Sequence, residues 1–254
     1  MFLPVLALTP ATCSLQPNAS AEALTLRHPD DRSKKVEYFL EKPAGASPWP
    51  AVIFIHGHQD WPRRGAKDLV DWGVLDRFAK RGYLAVAISQ PGYSASTGPA
   101  DFCGTFTQHA ISGVVNRLKR EGLMAPDKIV IEGISRGAIV ASLVAAHDPS
   151  IAGMVLISGL DDLNGFVEKA KSGEAALIAR SVLEETGGAS SELRARSALN
   201  FARDIRASTL ILNGALDECT DPAQAQRLAT DISSHGGQAR SIIYPASGHQ
   251  IPIN

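Results

Sequence analysis

Little in this chain is in excess, and each shortage rules something out. Three cysteines in 254 residues, Cys13, Cys103 and Cys219, are too few for a disulfide framework, and none has the spacing of a metal ligand set. Cys103 and Cys219 fall in loops expected near one face. A single bridge between them in an oxidising compartment and a pair of idle buried thiols are the readings that stand. Charge is short in both directions, with 25 Lys and Arg against 26 Asp and Glu. Such a balance supplies no basic face for nucleic acid and no polybasic membrane patch. No apolar run approaches the roughly 20 residues that cross a bilayer, so stable membrane insertion is not expected. Internal repeats and low-complexity linkers are lacking as well, and nothing in the sequence specifies an oligomeric state.

The first residues carry two readings. "MFLPVLAL" is apolar, and Ala19-Ser20-Ala21 fits the small-residue end of a secretory signal. Yet the apolar stretch is short and the first basic residue is Arg27, so a plain arm remains open beside the preferred export signal. A secreted or periplasmic location follows from the first, a cytoplasmic one from the second. "TPATCS" is a poor lipoprotein signal around Cys13, and the "NAS" at 18–20 is too short a glycosylation match to weigh. Residues 1–24 are read as this arm or signal and 25–254 as the folded domain.

What is present is a rhythm. β-rich runs recur at 35–40, 51–55, 84–89, 128–133, 153–158, 208–214 and 241–245. Five are solid apolar blocks, the pattern of strands covered on both faces. Helical patterns lie between them at 66–82, 106–122, 136–148 and 222–237. This alternation predicts an α/β fold with a mostly parallel central sheet and helices on both faces, joined by right-handed crossovers. Ligands of such sheets sit at the carboxyl ends of the strands. The rhythm breaks at 159–207, a long segment that includes the helical "NGFVEKAKSGEAALIARSVLEETGG". It is expected as a helical cap over the site, with ordinary crossover helices as part of it.

The chemistry gathers around "KIVIEGISRGAIV" (128–140). A strand runs into Ser135 and a helix leaves it, with Gly133 and Gly137 on either side. That strand–serine–helix context is what a G-x-S-x-G nucleophile elbow requires, the glycines making room for a tight turn. The turn lifts the Ser135 hydroxyl to a helix N-terminus, where negative charge is favoured. A serine needs a base, and the base an orienting group. His249, in "PASGHQIP" after the last strand, is the candidate base. Asp217, in the loop of "LILNGALDECTDP", is the preferred acid over Glu218, Asp221, Asp161 and Asp162. Ser, Asp and His then follow one another in the order this machinery uses. An oxyanion hole is expected from the amide of Arg136 and from the loop of "FIHGHQDW", through the amide of His58 or that of Gln59. The His56 and His58 side chains are read as packing of that loop, since two histidines without a third ligand make a poor zinc site. No metal or other cofactor is needed. Gln59, Trp61, Tyr93 and Phe102 are candidates for contacting substrate.

With these residues, the chain resembles the α/β-hydrolase superfamily over nearly all of 35–254. Within it, the likeness is to the catalytic domains of the prolyl oligopeptidase (S9-like) and dienelactone-hydrolase-like branches. It rests on "RSALNFARDIRASTLILNGALDECTDPAQAQRLA" and "SIIYPASGH". The resemblance implies Ser135 as nucleophile, Asp217 as acid and His249 as base. Two departures are evident: a sheet beginning near residue 35 leaves no room for a β-propeller, and the paired-glutamate motif that grips a free amine is missing. Both turn the expectation from peptidase to a carboxylesterase-like serine hydrolase acting on a small ester, with an S9-like peptidase or aminoacyl hydrolase as the alternative. A non-catalytic binding protein of the same fold is the third reading.

Overall fold

A computed structural model describes residues 21–251. The expectations for an export signal, Cys13 and the "NAS" match fall on residues 1–20, outside the described part. In chain order the elements are β1 (Glu22–Arg27), β2 (Lys35–Glu41), β3 (Trp49–Ile55), α1 (Lys67–Asp71), α2 (Val74–Ala79), β4 (Leu84–Ile88), α3 (Thr105–Arg120), β5 (Met124–Ile134) and α4 (Arg136–His147). Then come β6 (Ile151–Ile157), α5 (Leu163–Lys169), α6 (Gly173–Thr186), α7 (Ser190–Ala195), a 3-10 helix (Ala198–Asp204), β7 (Ser208–Gly214), α8 (Pro222–Ser234) and β8 (Ala239–Tyr244).

The strands form one sheet in the order β1-β2-β4-β3-β5-β6-β7-β8. The pairs from β4 through β8 are parallel, as the solid apolar blocks predict, while β1 and β2 run antiparallel at one edge. Two boundaries need correction. β1 pairs residue for residue with β2, from Glu22 opposite Leu40 to Arg27 opposite Lys35, so the arm expected over 1–24 ends inside a strand. Its half-exposed edge position explains the weak apolar signal of "EALTLR". The single helix expected over 66–82 is two short ones, because Gly73 takes the left-handed conformation (φ 68°) and its N–H closes α1 on Val70 O.

Helices α1 and α2 cover β2, β3 and β4 on one face. The larger core lies on the other face, against α3, α4 and α8. Helix α4 is buried without a break from Arg136 to Ala145, which places it in the middle of that layer. Its closeness to the sheet is a glycine effect. A methyl group on Gly133 would overlap the carbonyl of Gly137, and one on Gly137 would overlap the carbonyls of Ile55 and His56. The segment 159–207 divides in two. α6 lines a cavity together with Ser135 at the carboxyl end of β5, whereas the 3-10 helix packs down between α4 and α8.

Gly137→Ala and Gly133→Ala each meet backbone, which cannot yield, so each is expected to destabilise by more than about 2 kcal/mol. Gly153→Ala is tight only against the Val130 side chain, 3.2 Å away, and in ordinary contact with Ser208 O at 3.8 Å, and is expected to cost less than about 1 kcal/mol. Urea unfolding of the three variants tests the contrast.

Candidate active site

Six parallel strands deliver their carboxyl ends to one rim, and the sequence-predicted residues sit in the loops that leave it. Ser135 joins β5 to α4 with φ 52° and ψ −120°, a conformation that non-glycine residues rarely adopt. The turn is held by Ser135 N–H to Ile157 O (2.7 Å) and by Ala138 N–H to Ser135 O (2.9 Å). The Ser135 hydroxyl makes no hydrogen bond to another described residue and faces a cavity of about 360 Å³.

Asp217 follows β7, and its side chain is fully buried. One carboxylate oxygen accepts the N–H groups of Cys219 (2.8 Å) and Thr220 (2.9 Å), and the other accepts the Thr220 hydroxyl (2.6 Å). His249 Nδ1 lies 3.0 and 3.2 Å from the two oxygens. Burial alone would raise the Asp217 pKa. The hydrogen bonds from His249 and Thr220 outweigh it, and the carboxyl is held below its ordinary value. Asp217 therefore stays ionised and fixes the His249 tautomer with the proton on Nδ1, leaving Nε2 as the free acceptor. Ser135 and His249 are tied to consecutive residues of one strand end. Ile157 O takes the Ser135 amide, and the Ser158 hydroxyl donates to His249 O at 2.9 Å. Direct bonding between the Ser135 hydroxyl and Nε2 is absent from the described residues, and such bonds often tighten only when substrate arrives.

Two positions that sequence reasoning passed over build this rim. Ser158, buried and strained at φ 50°, anchors the histidine loop. Gly214 ends β7 where any methyl group would overlap the carbonyls of Ser247 and Gly248, so the same loop can lie across it. A glycine closing an apolar strand was the available signal. Two of the competing acids are occupied as helix caps, and the other two are not bonded to the histidine. Asp221 caps α8 through Ala223 N–H, Asp162 caps α5 through Gly165 N–H, and Glu218 is exposed. Asp161 is buried with neither oxygen hydrogen-bonded, and burial pushes its pKa up to about 7.

The loop after β3 passes Ser135 closely. A side chain at Gly57 would lie 3.3 Å from Ser135 Cβ. His56 is buried and neutral, its pKa lowered to about 4 by loss of water. Its Nε2 accepts Gln90 N–H (3.0 Å), so Nδ1 carries the proton and donates to Gly57 O (2.7 Å). His58 lines the cavity, with Nδ1 3.2 Å from the Tyr93 hydroxyl. Arg136 opens α4, where the first-turn amides point outward without intrahelical partners.

Of the residues expected to contact substrate, Phe102 lines the cavity and three do not. Gln59 spends its amide on Gly65 of its own loop and on Asp68 of α1. Trp61 is 90% exposed and does not line the cavity. Tyr93 is buried beneath the rim, against His56. The walls come instead from Leu160 and from Glu174, Leu177, Ile178 and Ser181, one stripe of α6 at helical spacing.

Arg136 holds a feature invisible in the sequence. Its side chain is 2% exposed, and its guanidinium meets Glu185 of α6 in two parallel bonds of 2.9 and 2.8 Å. Glu185 Oε2 also accepts the Phe102 N–H (2.8 Å). Burial would raise the Glu185 pKa, but the bonds and charge of Arg136 hold it below its ordinary value.

Cys103 and Cys219 are free thiols, one donating to Arg136 O and the other to Glu174, so the conceivable bridge is not formed. Among the described residues, Asp217, Cys219 and His249 have ligand atoms within 4.8 Å of one another. Protons already occupy that space, since the Asp217 oxygens accept from five donors, Asn213, Cys219 N–H, the Thr220 N–H and hydroxyl, and His249, and the Cys219 thiol, pushed up to about 12, is neutral. The set is a hydrogen-bond network. No helix among the described residues is long and apolar enough to cross a membrane.

Comparison with known proteins adds an independent line. Residues 104–253 match the model of the prolyl oligopeptidase family, and residues 34–173 that of the X-Pro dipeptidyl-peptidase (S15) family. No curated protein matches the chain. Among solved structures, a puromycin-hydrolyzing peptidase of Mycobacterium tuberculosis is similar over 91% of this chain and 36% of its own, with 18% identity and a TM-score of 0.78. Pyrococcus horikoshii acylaminoacyl peptidase is similar over 90% and 37%, with 16% identity and a TM-score of 0.72. A putative dienelactone hydrolase from Klebsiella pneumoniae is similar over 91% and 88%, with 18% identity and a TM-score of 0.64. At these identities the likeness is one of fold, the α/β-hydrolase fold, and the chain spans only about a third of the two peptidases.

Asp161 offers a test of the site's electrostatics. Its folded pKa of about 7 lies above the unfolded value of 3.8, so its contribution is full below pH 4 and is lost as pH rises toward 7. Asp161→Asn is expected to be stabilised relative to the parent by about 2–4 kcal/mol more at pH 8 than at pH 4. Denaturant unfolding at the two pH values measures the difference, and an equal offset at both refutes it.

Proposed function

Because the chain belongs to the prolyl oligopeptidase family, we propose that it is a serine hydrolase whose own residues cleave a carboxylic ester through an acyl-enzyme. The observation that carries this reading is the pairing of a strained Ser135 at a helix N-terminus with the buried Asp217–His249 hydrogen bond at the same rim. His249 Nε2 takes the hydroxyl proton as Ser135 attacks the carbonyl. Asp217 keeps the imidazole in register and stabilises the imidazolium. The tetrahedral oxyanion is held by the amides of Arg136 and His58, donors of a kind worth about 3 kcal/mol each. His249 then protonates the leaving alcohol, and water repeats the cycle on the acyl group.

The acyl side is expected to be apolar and modest in size. Phe102, Leu160, Leu177 and Ile178 supply apolar walls, and about 360 Å³ is near the small end of ligand cavities. A second reading, a peptidase or aminoacyl hydrolase on the same machinery, draws support from the family models and from the peptidases of like fold. Nothing in either reading requires nucleic acid, a metal or another cofactor.

Purified protein is expected to hydrolyse short p-nitrophenyl acyl esters faster than aminoacyl or prolyl p-nitroanilides; the reverse order selects the second reading. Fluorophosphonate labelling is expected to disappear in Ser135→Ala, with turnover reduced by a factor of about 10⁴ or more. An unlabelled parent points to a binding protein. Ser158→Ala frees the histidine loop and is expected to lower kcat about tenfold, with KM changed less than about twofold.

A further inference from the structure

The face of α6 that lines the cavity does not stop at Ser181. Glu174, Ile178, Ser181 and Glu185 follow one another at helical spacing, and the last of them reaches under the rim. There its carboxylate takes both ends of the Arg136 guanidinium and the Phe102 amide together. The Phe102 ring lies over the same guanidinium, 4.8 Å from its carbon, and Tyr93 approaches it at 5.8 Å. Tyr93 in turn reaches His58 through its hydroxyl. The residues whose amides are assigned to the oxyanion thus meet in one network that runs from buried Arg136 and Tyr93 to the exposed His58, and Glu185 is the anion bonded to Arg136 in it.

Arg136 is also a wall of the cavity, and its Nε finds no acceptor. If its partner is removed, the cavity it already lines is an outlet for a guanidinium so enclosed. Wild-type Glu185 closes that outlet. We infer that Glu185 is a positioning and specificity-determining residue, which neutralises Arg136, keeps its charge out of the acyl cavity and so excludes acyl groups that end in a carboxylate. The inference rests on the proposed hydrolase reading for its kinetic part only. A bare cation beside Ser135 would attract an anionic acyl chain, and the shift of the Arg136 side chain would disturb the amide that follows the serine.

The test compares wild type with Glu185→Gln, which keeps shape and loses charge. Two esters of one phenol are used, a butanoyl ester and a monosuccinyl ester carrying a free carboxylate. Wild type is expected to favour the neutral ester strongly. In Glu185→Gln that ratio of kcat/KM narrows about tenfold or more, and kcat on the neutral ester falls about tenfold. Formate, small enough for the space left in Glu185→Ala, is expected to restore neutral-ester turnover there. Calorimetry gives a second arm that needs no turnover: butanoate should bind Glu185→Gln about tenfold or more tighter than wild type. A folded Glu185→Gln with both the ester ratio and butanoate affinity within about twofold of wild type overturns the inference. Should that variant not fold, Glu185→Asp decides through the same two measurements, with a smaller narrowing and tightening expected and no change refuting. If wild type hydrolyses neither ester, the esterase reading fails and butanoate binding alone decides the role of Glu185.

Discussion

The site depends on how closely helix α4 approaches strands β3 and β5. Ser135 sits in a backbone conformation that costs about 1–3 kcal/mol for a residue with a side chain. Such strain persists only where the surroundings over-determine it. Here they do: ten consecutive residues of α4 are buried, and Gly133 and Gly137 allow backbone to touch backbone. Each fully buried aliphatic side chain in that helix is worth about 1.5–3 kcal/mol, so the packing readily offsets the turn. The serine is presented because the core leaves the chain no other path. Gly57 and Gly214 extend the same logic sideways, letting the loop beside the serine and the histidine loop lie against neighbouring backbone.

Closeness has an electrical consequence. A helix that dense brings Arg136 into a region with almost no water, and a buried charge must be matched where it stands. The match comes from α6, nearly fifty positions away in sequence, and arrives as a two-pronged pair rather than a point contact. Breaking one half of such a pair typically costs about 3–5 kcal/mol, although a well-packed apolar substitute for both halves can be neutral. The pair is therefore weak evidence for stability and better understood as registry. It sets where α6 stands over the rim, and with it which side chains face Ser135.

Sequence was a good guide wherever local chemistry decides structure. Seven of the strand runs, the serine turn and the acid and histidine loops were legible because a parallel sheet writes itself as apolar blocks, and a sharp turn as glycine. β1 was not, since an edge strand half open to water carries no solid block. That Tyr93, Gln59 and Trp61 stand off the cavity wall was not legible for one reason: aromatic or amide character near a rim does not say which way a side chain turns. Tyr93 turns inward beneath the rim, Gln59 bonds its own loop, and Trp61 stands in solvent. Glu185 and Ser158 could not be found at all. Their importance lies in partners 49 and 91 positions away, and neither position carries a motif.

The choice among acids shows what the third dimension adds. Asp161 and Asp217 both follow parallel strands, and in sequence either is eligible. Their surroundings push them in opposite directions. Asp161 has lost water and gained no donor, so burial carries its pKa up to about 7 and much of it is neutral near neutral pH. A neutral carboxyl does little for an imidazolium. Asp217 has lost water too, but two amides, a hydroxyl and the His249 ring replace it, and its charge is kept. Because those donors are supplied by Cys219 and Thr220, the loop that carries the acid also solvates it. Desolvation is thus common to both carboxylates. The number of fixed donors separates the group able to orient a base from the one that is merely enclosed.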